Sequence, residues 1–315
     1  MWLKGSTKMT EANRDTTVGI VGVGVMGGGM ARNILKKGNQ VVAFDLDKAA
    51  LDDIVSKGAH RASSAREVAE KASTVICMVE TTAQSEEVIM GEDGFLPALR
   101  QGDVVISSAT IDPIAVKRWD NILASKGVGL LDAPVSGGWK RADEGDLSAI
   151  VGGNPEILEK VRPVVEAYSS RVFHMGDVGQ GLAMKHVNNM MIQTTTAVLA
   201  EAFVMGAKAG LDPQAMFEVM RVSTGASTAL EMRAPQFIKG DFRPGGTIDI
   251  TIKDQTLQTD FAKSLGVPMF LANVSLQIFQ MAKANGLAKL DSSSVVTLYE
   301  KMAGVQLGPR DSLEK

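Results

Sequence analysis

The stretch Val18-Gly-Ile-Val-Gly22-Val-Gly24-Val25-Met26-Gly27, running on into Gly28-Gly-Met-Ala-Arg-Asn-Ile-Leu-Lys-Lys, decides the fold. A short β-branched run leads into G-x-G-x-x-G, and an amphipathic helical pattern follows at once. That order is what the glycine spacing needs if it is to hold a dinucleotide rather than serve as an ordinary turn. Gly22 permits the tight turn, Gly24 lets backbone approach a pyrophosphate, and Gly27 lets helix and strand pack closely. Val25 and Met26 open the helix, whose free N–H groups and positive dipole end face the phosphates. A second strand run ends in Val42-Ala-Phe44-Asp45, and Asp45 lies 18 residues past Gly27. An acid there hydrogen-bonds the adenosine ribose hydroxyls and repels a 2′-phosphate, so NAD is expected rather than NADP. Asp47 reads as the cap of the next helix.

Outward from that loop, short apolar runs alternate with helical patterns. Val18–Val23, Gln40–Phe44, Thr74–Val79, Val104–Ile106 and Gly129–Leu131 read as strands, with Ser148–Val151 and Val172–His174 completing the sheet. Met26–Lys37, Ala49–Lys57, Asp112–Lys126 and Pro155–Tyr168 read as the helices between them. Such alternation implies a doubly wound, mostly parallel α/β sheet. After Gly181 the pattern turns wholly helical, beginning with a long run from Leu182 to Ala209. The predicted organisation is a tail over residues 1–15, a nucleotide-binding domain over 16–178 and an all-helical domain over 179–310, joined through that long helix.

Composition narrows the function. The 315 residues carry 33 Lys+Arg against 36 Asp+Glu, a net charge of −3, which leaves no basic footprint for nucleic acid. One cysteine, Cys77, and three histidines give no internal disulfide and no His/Cys metal cluster. Cys77 reads as a small buried hydrophobe, and a reducing, cytoplasmic setting is expected. The charge-free stretch His186–Ala200 is too short and too polar for a membrane span of about 20 apolar residues, so no membrane partner is expected.

Two further segments carry candidate chemistry. In Gly181-Leu-Ala-Met-Lys185-His-Val-Asn188-Asn189 a 3.6-residue period puts Gly181, Lys185, Asn188 and Asn189 on one face, with Met184, Val187, Met190 and Met191 around it. A lysine with two carboxamides beside a glycine makes a polar cleft, and a desolvated lysine serves as a general acid/base. Periodicity alone fits a solvated surface lysine equally well. In Leu131-Asp132-Ala-Pro134-Val-Ser136-Gly137-Gly138, which follows a strand, Ser136 and the two glycine amides are able to bind a small carboxylate, although Ser-Gly-Gly is also an ordinary turn. Lys253-Asp254 reads as an ion pair early in a helix.

Taken in order, Gly22-x-Gly24-x-Met26-Gly27, Asp132-Ala-Pro-Val-Ser-Gly-Gly138, Gly181-x-x-x-Lys185-x-x-Asn188-Asn189 and Lys253-Asp254 resemble the β-hydroxyacid dehydrogenase family over about Thr17–Leu307. The resemblance implies a Rossmann domain followed by a helical domain, and Lys185 as catalytic acid/base. It implies that Asn189 helps hold substrate, that Ser136, Gly137 and Gly138 bind its carboxylate, and that Val79, Thr110 and Lys253 line the cofactor. The implied partner is a small carboxylate-bearing hydroxy acid of the 3-hydroxyisobutyrate kind, in a homodimer or homotetramer. Work in the reductive direction on a tartronate, succinic or glyoxylate-type semialdehyde is the alternative, and a non-catalytic nucleotide-binding module the distant one. Val79-Glu80-Thr81 departs from the Leu-Pro-Asn of many relatives, and Ser107-Ser-Ala-Thr110 from their Asp-Met-Ser-Thr.

Overall fold

The computed structural model describes residues 14–309. The chain divides into two compact units that meet at Lys185/His186, seven residues later than the composition change suggests.

The first unit is built on one sheet. Its strands are β1 (Thr17–Val21), β2 (Gln40–Phe44), β3 (His60–Arg61), β4 (Thr74–Cys77), β5 (Val104–Ser107), β6 (Gly129–Asp132), β7 (Val135–Ser136), β8 (Leu147–Gly152) and β9 (Ser169–Gly176). They stand in the order β3-β2-β1-β4-β5-β6-β8-β7, with β9 on β8. The first six pair parallel, β8 runs antiparallel to β6 and β7, and β9 runs parallel to β8. The central strands β1, β4 and β5 are buried along their whole length, as expected of a parallel sheet covered on both faces. The strand order reverses between β1 and β4, which opens a ligand crevice at their carboxyl ends.

The covering helices are α1 (Val25–Lys36), α2 (Lys48–Ser56), α3 (Ala65–Lys71), α4 (Thr82–Met90), α5 (Pro113–Ser125), α6 (Gly138–Glu144) and α7 (Pro155–Tyr168). Two cores result, one on each sheet face. Ile20, Met30, Ile34 and Leu131 belong to the first, and Cys77, Phe95, Trp119 and Leu130 to the second. Cys77 is a free, buried thiol as its apolar run suggests, and burial pushes it up to about 12.

The predicted tail needs correction at its end. Residues 1–13 lie outside the described residues, but Arg14 is buried and holds Asp103 through Nη1 at 2.7 Å, with Nη2 donating to the Ala69 carbonyl at 3.0 Å. Arg14 therefore belongs to the folded domain: a buried guanidinium needs a partner, and Asp103 supplies it.

Helix α8 (Gln180–Lys208) begins in the first unit and continues into the second. It is the one helix among the described residues long and apolar enough to cross a membrane by length and composition. Ala200, Phe203 and Val204 on it lie in the core of the second unit. That unit adds α9 (Pro213–Met220), α10 (Thr228–Lys239), α11 (Ile248–Ser264), α12 (Phe270–Ala282) and α13 (Val296–Ala303). Its core gathers Phe203, Phe237, Phe242 and Phe279, the first two meeting edge-to-face at 5.7 Å. Asp291 is its polar hub, accepting from Arg233, Gln236, Gly246 and Ser293.

Candidate active site

The glycine loop has the shape its sequence requires. Gly22 adopts φ +88°, and a Cβ there would lie 2.3 Å from the Met78 carbonyl oxygen. A Cβ on Gly27 would lie 1.9 Å from the Gly22 carbonyl oxygen, so only glycine lets α1 approach β1 this closely. Gly24 differs: nothing lies within 4 Å of the Cβ position, which leaves open space for an incoming group. Gly24 is also the N-cap residue of α1, and no side chain caps that helix. The first amides are thus left to an anion, and Val25 stands exposed above them while Met26 is half-buried. This cradle fits a dinucleotide pyrophosphate.

Asp45 follows β2, half-buried. Its carboxylate accepts from the Val23 N–H at 2.6 Å and the Asp47 N–H at 2.8 Å, tying the acid expected at the ribose directly to the glycine loop. Asp47 caps α2 through the amides of Ala49 and Ala50, as its spacing suggests. Val79 lies against Gly22, its Cγ1 3.1 Å from that glycine's Cβ position. The neighbouring Glu80-Thr81 forms the start of α4, where Gln84 and Thr81 cap one another reciprocally. The departure at 79–81 thereby has a local structural role, whereas nothing in the structure explains Ser107–Ala109. Thr110 sits half-buried in the connection from β5 to α5.

Ser136 is on β7, paired with Ser148, and Gly137 and Gly138 follow at φ +140° and +74°. Gly137 is the N-cap of α6, again with no side-chain cap. Sequence reasoning quoted Asp132 but gave it no role. It is fully buried, and its carboxylate accepts from the N–H groups of Gly179 and Leu182, both at 2.7 Å. Burial pushes this carboxyl up to about 6, opposed by those N–H groups and by Lys117. A charged residue closing an apolar strand is the signal that would have found it.

Lys185 follows on α8 and is buried. In the second unit Asn189 is buried and donates to Asp254 Oδ2 at 2.8 Å, while Lys253 Nζ lies 2.9 Å from Asp254 Oδ1. The Lys253–Asp254 pair is therefore largely buried, not the exposed pair its position suggests. One turn on, Gln258 donates to Gln193 at 2.8 Å, so α8 and α11 are joined by polar pairs at i and i+4. Asn188 does not share that burial: it is exposed, with Nδ2 3.4 Å from Asn189 Oδ1. Met184, Val187 and Met191 are exposed as well. His186 packs near the Phe261 ring, away from the polar face. Among the described residues no group of His, Cys, Asp and Glu is placed to hold a metal.

The comparisons match this geometry. Residues 17–176 match the NAD binding domain of 6-phosphogluconate dehydrogenase, and 179–299 match the NAD-binding domain of NADP-dependent 3-hydroxyisobutyrate dehydrogenase. The chain is 36% identical to 2-(hydroxymethyl)glutarate dehydrogenase of Eubacterium barkeri over 92% of this chain and 97% of that protein. It is 33% identical to 2-hydroxy-3-oxopropionate reductase of Escherichia coli over 92% and 99%. The crystal structure of 3-hydroxyisobutyrate dehydrogenase from Salmonella typhimurium superimposes with a TM-score of 0.81 at 32% identity, over 90% of this chain and 100% of the other. With a bare-ended glycine loop, an acid after β2 and full-length relatives of this kind, the chain belongs to the NAD-dependent β-hydroxyacid dehydrogenase family.

Proposed function

We propose that the enzyme oxidises the hydroxyl of a short β-hydroxy acid of the 3-hydroxyisobutyrate kind, reversibly, with Lys185 as general acid/base. The observation that carries this reading is the buried Lys185 on a helix whose start is held by the same Asp132–Gly138 segment that supplies the Ser136 loop. Ser136 and the amides of Gly137 and Gly138 hold the substrate carboxylate. Asn189, which the family resemblance assigns to the substrate, is oriented by Asp254. The Gly22–Gly27 loop, Asp45, Val79 and Thr110 hold the dinucleotide, which when bound supplies the hydride acceptor, and the family resemblance assigns Lys253 to the cofactor as well. Lys185 Nζ takes the hydroxyl proton as the hydride leaves the carbinol carbon, and returns it in the reverse direction. Holding carboxylate and carbinol together is the protein's positioning contribution.

An apolar stripe on α8, Met184, Met191, Val198 and Met205 at every seventh residue, is exposed on the single chain. That spacing is the seam of paired helices, which favours a homodimer or a larger homo-oligomer. The buried free thiol favours a cytoplasmic setting.

NADH absorbance with a panel of 3-hydroxyisobutyrate, 2-(hydroxymethyl)glutarate, glycerate and threonate tests the reading. Turnover with at least one member is expected, and silence across the panel overturns it. Lys185→Ala should lower kcat by about 10³-fold, the scale of lost acid–base catalysis, with NADH binding retained. Near-normal turnover in that variant would remove Lys185 from the mechanism.

A further inference from the structure

Among the described residues, the first turn of α8 is held in a way no other helix of the first unit shares. Helices α2, α3, α4, α5 and α7 are capped by the residue just before them, Asp47, Ser64, Thr81, Asp112 and Asn154. The amides of Gly179 and Leu182 go instead to Asp132, 50 residues before Leu182 and on the last position of β6. The packing is shaped around this carboxylate. A Cβ on Gly152 would sit 2.4 Å from Asp132 Oδ1, and one on Gly181 would sit 2.7 Å from the Asp132 carbonyl oxygen. Gly179, at φ +91°, would place a Cβ 2.7 Å from Lys117 Cε. A buried carboxylate is costly unless each oxygen is hydrogen-bonded, and here each oxygen takes one N–H of the same turn. Two bonds from one planar group fix the turn in rotation as well as in height.

We propose that Asp132 is a positioning residue: through the Gly179 and Leu182 amides it sets the first turn of α8, and so places Lys185, three residues past Leu182, against the substrate hydroxyl. This rests on the reading of Lys185 as the acid/base. Asp132 itself touches no reacting atom. A displacement of about 1 Å at a reacting group costs about a hundredfold in rate, so a loosened clamp acts on kcat before it acts on folding.

The charges that face Asp132 are few. Lys117 acts on it from α5, Ser107 of β5 and Gly152 of β8 pair with its backbone and bring no charge, and Asp177 precedes the turn. Burial lifts the carboxyl to about 6, within reach of an ordinary pH series.

Asp132→Asn keeps the size and one acceptor but turns an amide NH₂ toward one of the two N–H donors. With the most active member of the hydroxy-acid panel, kcat should fall about tenfold or more while the KM for NAD and the Kd for NADH stay within about twofold. Ser64→Ala, which removes the cap of α3, should leave kcat at the level of the unsubstituted enzyme. Wild-type kcat in folded Asp132→Asn, or an equal loss in Ser64→Ala, overturns the proposal. Amide hydrogen exchange on the unsubstituted chain serves even where the variant does not fold. Corrected for intrinsic rates, protection at Gly179 or Leu182 should drop about tenfold between pH 7 and pH 5 relative to amides bonded within α8, because the protonated carboxyl offers one of them an O–H; unchanged protection overturns it. An inactive Lys185→Ala beside a fully active Asp132→Asn would sink the positioning role alone, whereas an active Lys185→Ala would sink the acid/base assignment.

Discussion

Helices α1 and α8 both begin at glycine-rich turns beside the sheet, yet their first amides are treated in opposite ways. At α1 the N-cap is Gly24, no side chain caps the helix and nothing lies within 4 Å of the Gly24 Cβ position. At α8 a buried carboxylate closes the turn from another strand. An unsatisfied helix start is costly unless water or a ligand meets it, so the bare start marks where an anion arrives. The closed start marks where no ligand enters and a side chain further along must be held still.

The sharpest way to break this contrast is to close α1 as α8 is closed. Gly24→Asp places a carboxylate where the pyrophosphate approaches. At about 4 Å and an effective dielectric of about 20, two like charges cost about 4 kcal/mol, so NAD affinity should fall about 10³-fold. The open space around Gly24 leaves the fold intact. Isothermal titration with NADH reads it directly, and affinity unchanged from the parent would mean that the bare start is not the phosphate site.

Next in size is the pH response of the closed start. The folded carboxyl of Asp132 titrates at about 6 against an ordinary 3.8. Between those values the folded chain keeps a proton that the unfolded chain releases, so stability is fullest below 3.8 and declines as pH rises to about 6. At 1.36 kcal/mol per unit the decline is about 3 kcal/mol. The stability of the enzyme relative to Asp132→Asn, taken by urea unfolding from pH 4 to pH 7, should fall by about that amount. A flat difference would place Asp132 in a more solvated setting than its burial indicates.

The two helix starts were unequally legible in the sequence. Gly22, Gly24 and Gly27 announce themselves by spacing, because each glycine answers a steric demand made within a few residues of it. The sheet is legible for the same reason, since β1, β2, β4 and β5 are continuous apolar runs. β3 and β7 are two residues each and carry no period, and α6 opens on glycine with Trp139-Lys140-Arg141 and no apolar stripe. The partners of Asp132 and Asp254 are not legible, because they lie 47 and 65 residues away, at Gly179 and Asn189. The same distance effect separates Asn188 from Asn189: a helical wheel groups both with Lys185, but only Asn189 is buried by neighbouring helices. Arg14 reads as part of a tail because nothing near it in sequence calls for a cation; Asp103 does.

A smaller test concerns what else holds the α1 start in shape. Asp45 accepts from the Val23 amide as well as being the acid proposed to meet the ribose. Asp45→Asn keeps the amide contact but removes the charge. NAD affinity should fall about tenfold, or 1.4 kcal/mol, as a charged hydrogen bond becomes a neutral one. NADP affinity should change less, because the charge opposing a 2′-phosphate is gone. Equal losses for both cofactors would show that Asp45 acts on the loop rather than on the ribose.

The least effect belongs to the ordinary helix starts, which set the scale for the other two. Ser64 caps α3 by accepting the Glu67 N–H at 3.1 Å, and the Glu67 carboxylate answers by accepting from Ser63 N–H and from Lys71. Ser64→Ala removes one bond of that local set and should cost about 1 kcal/mol in unfolding free energy, with kcat and NADH affinity unmoved. If it instead lowers kcat as Asp132→Asn does, helix starts in this unit act on the active site in common, through the stability of the sheet. The contrast between α1 and α8 would then reflect packing and not the arrival of a ligand at one and the fixing of a lysine at the other.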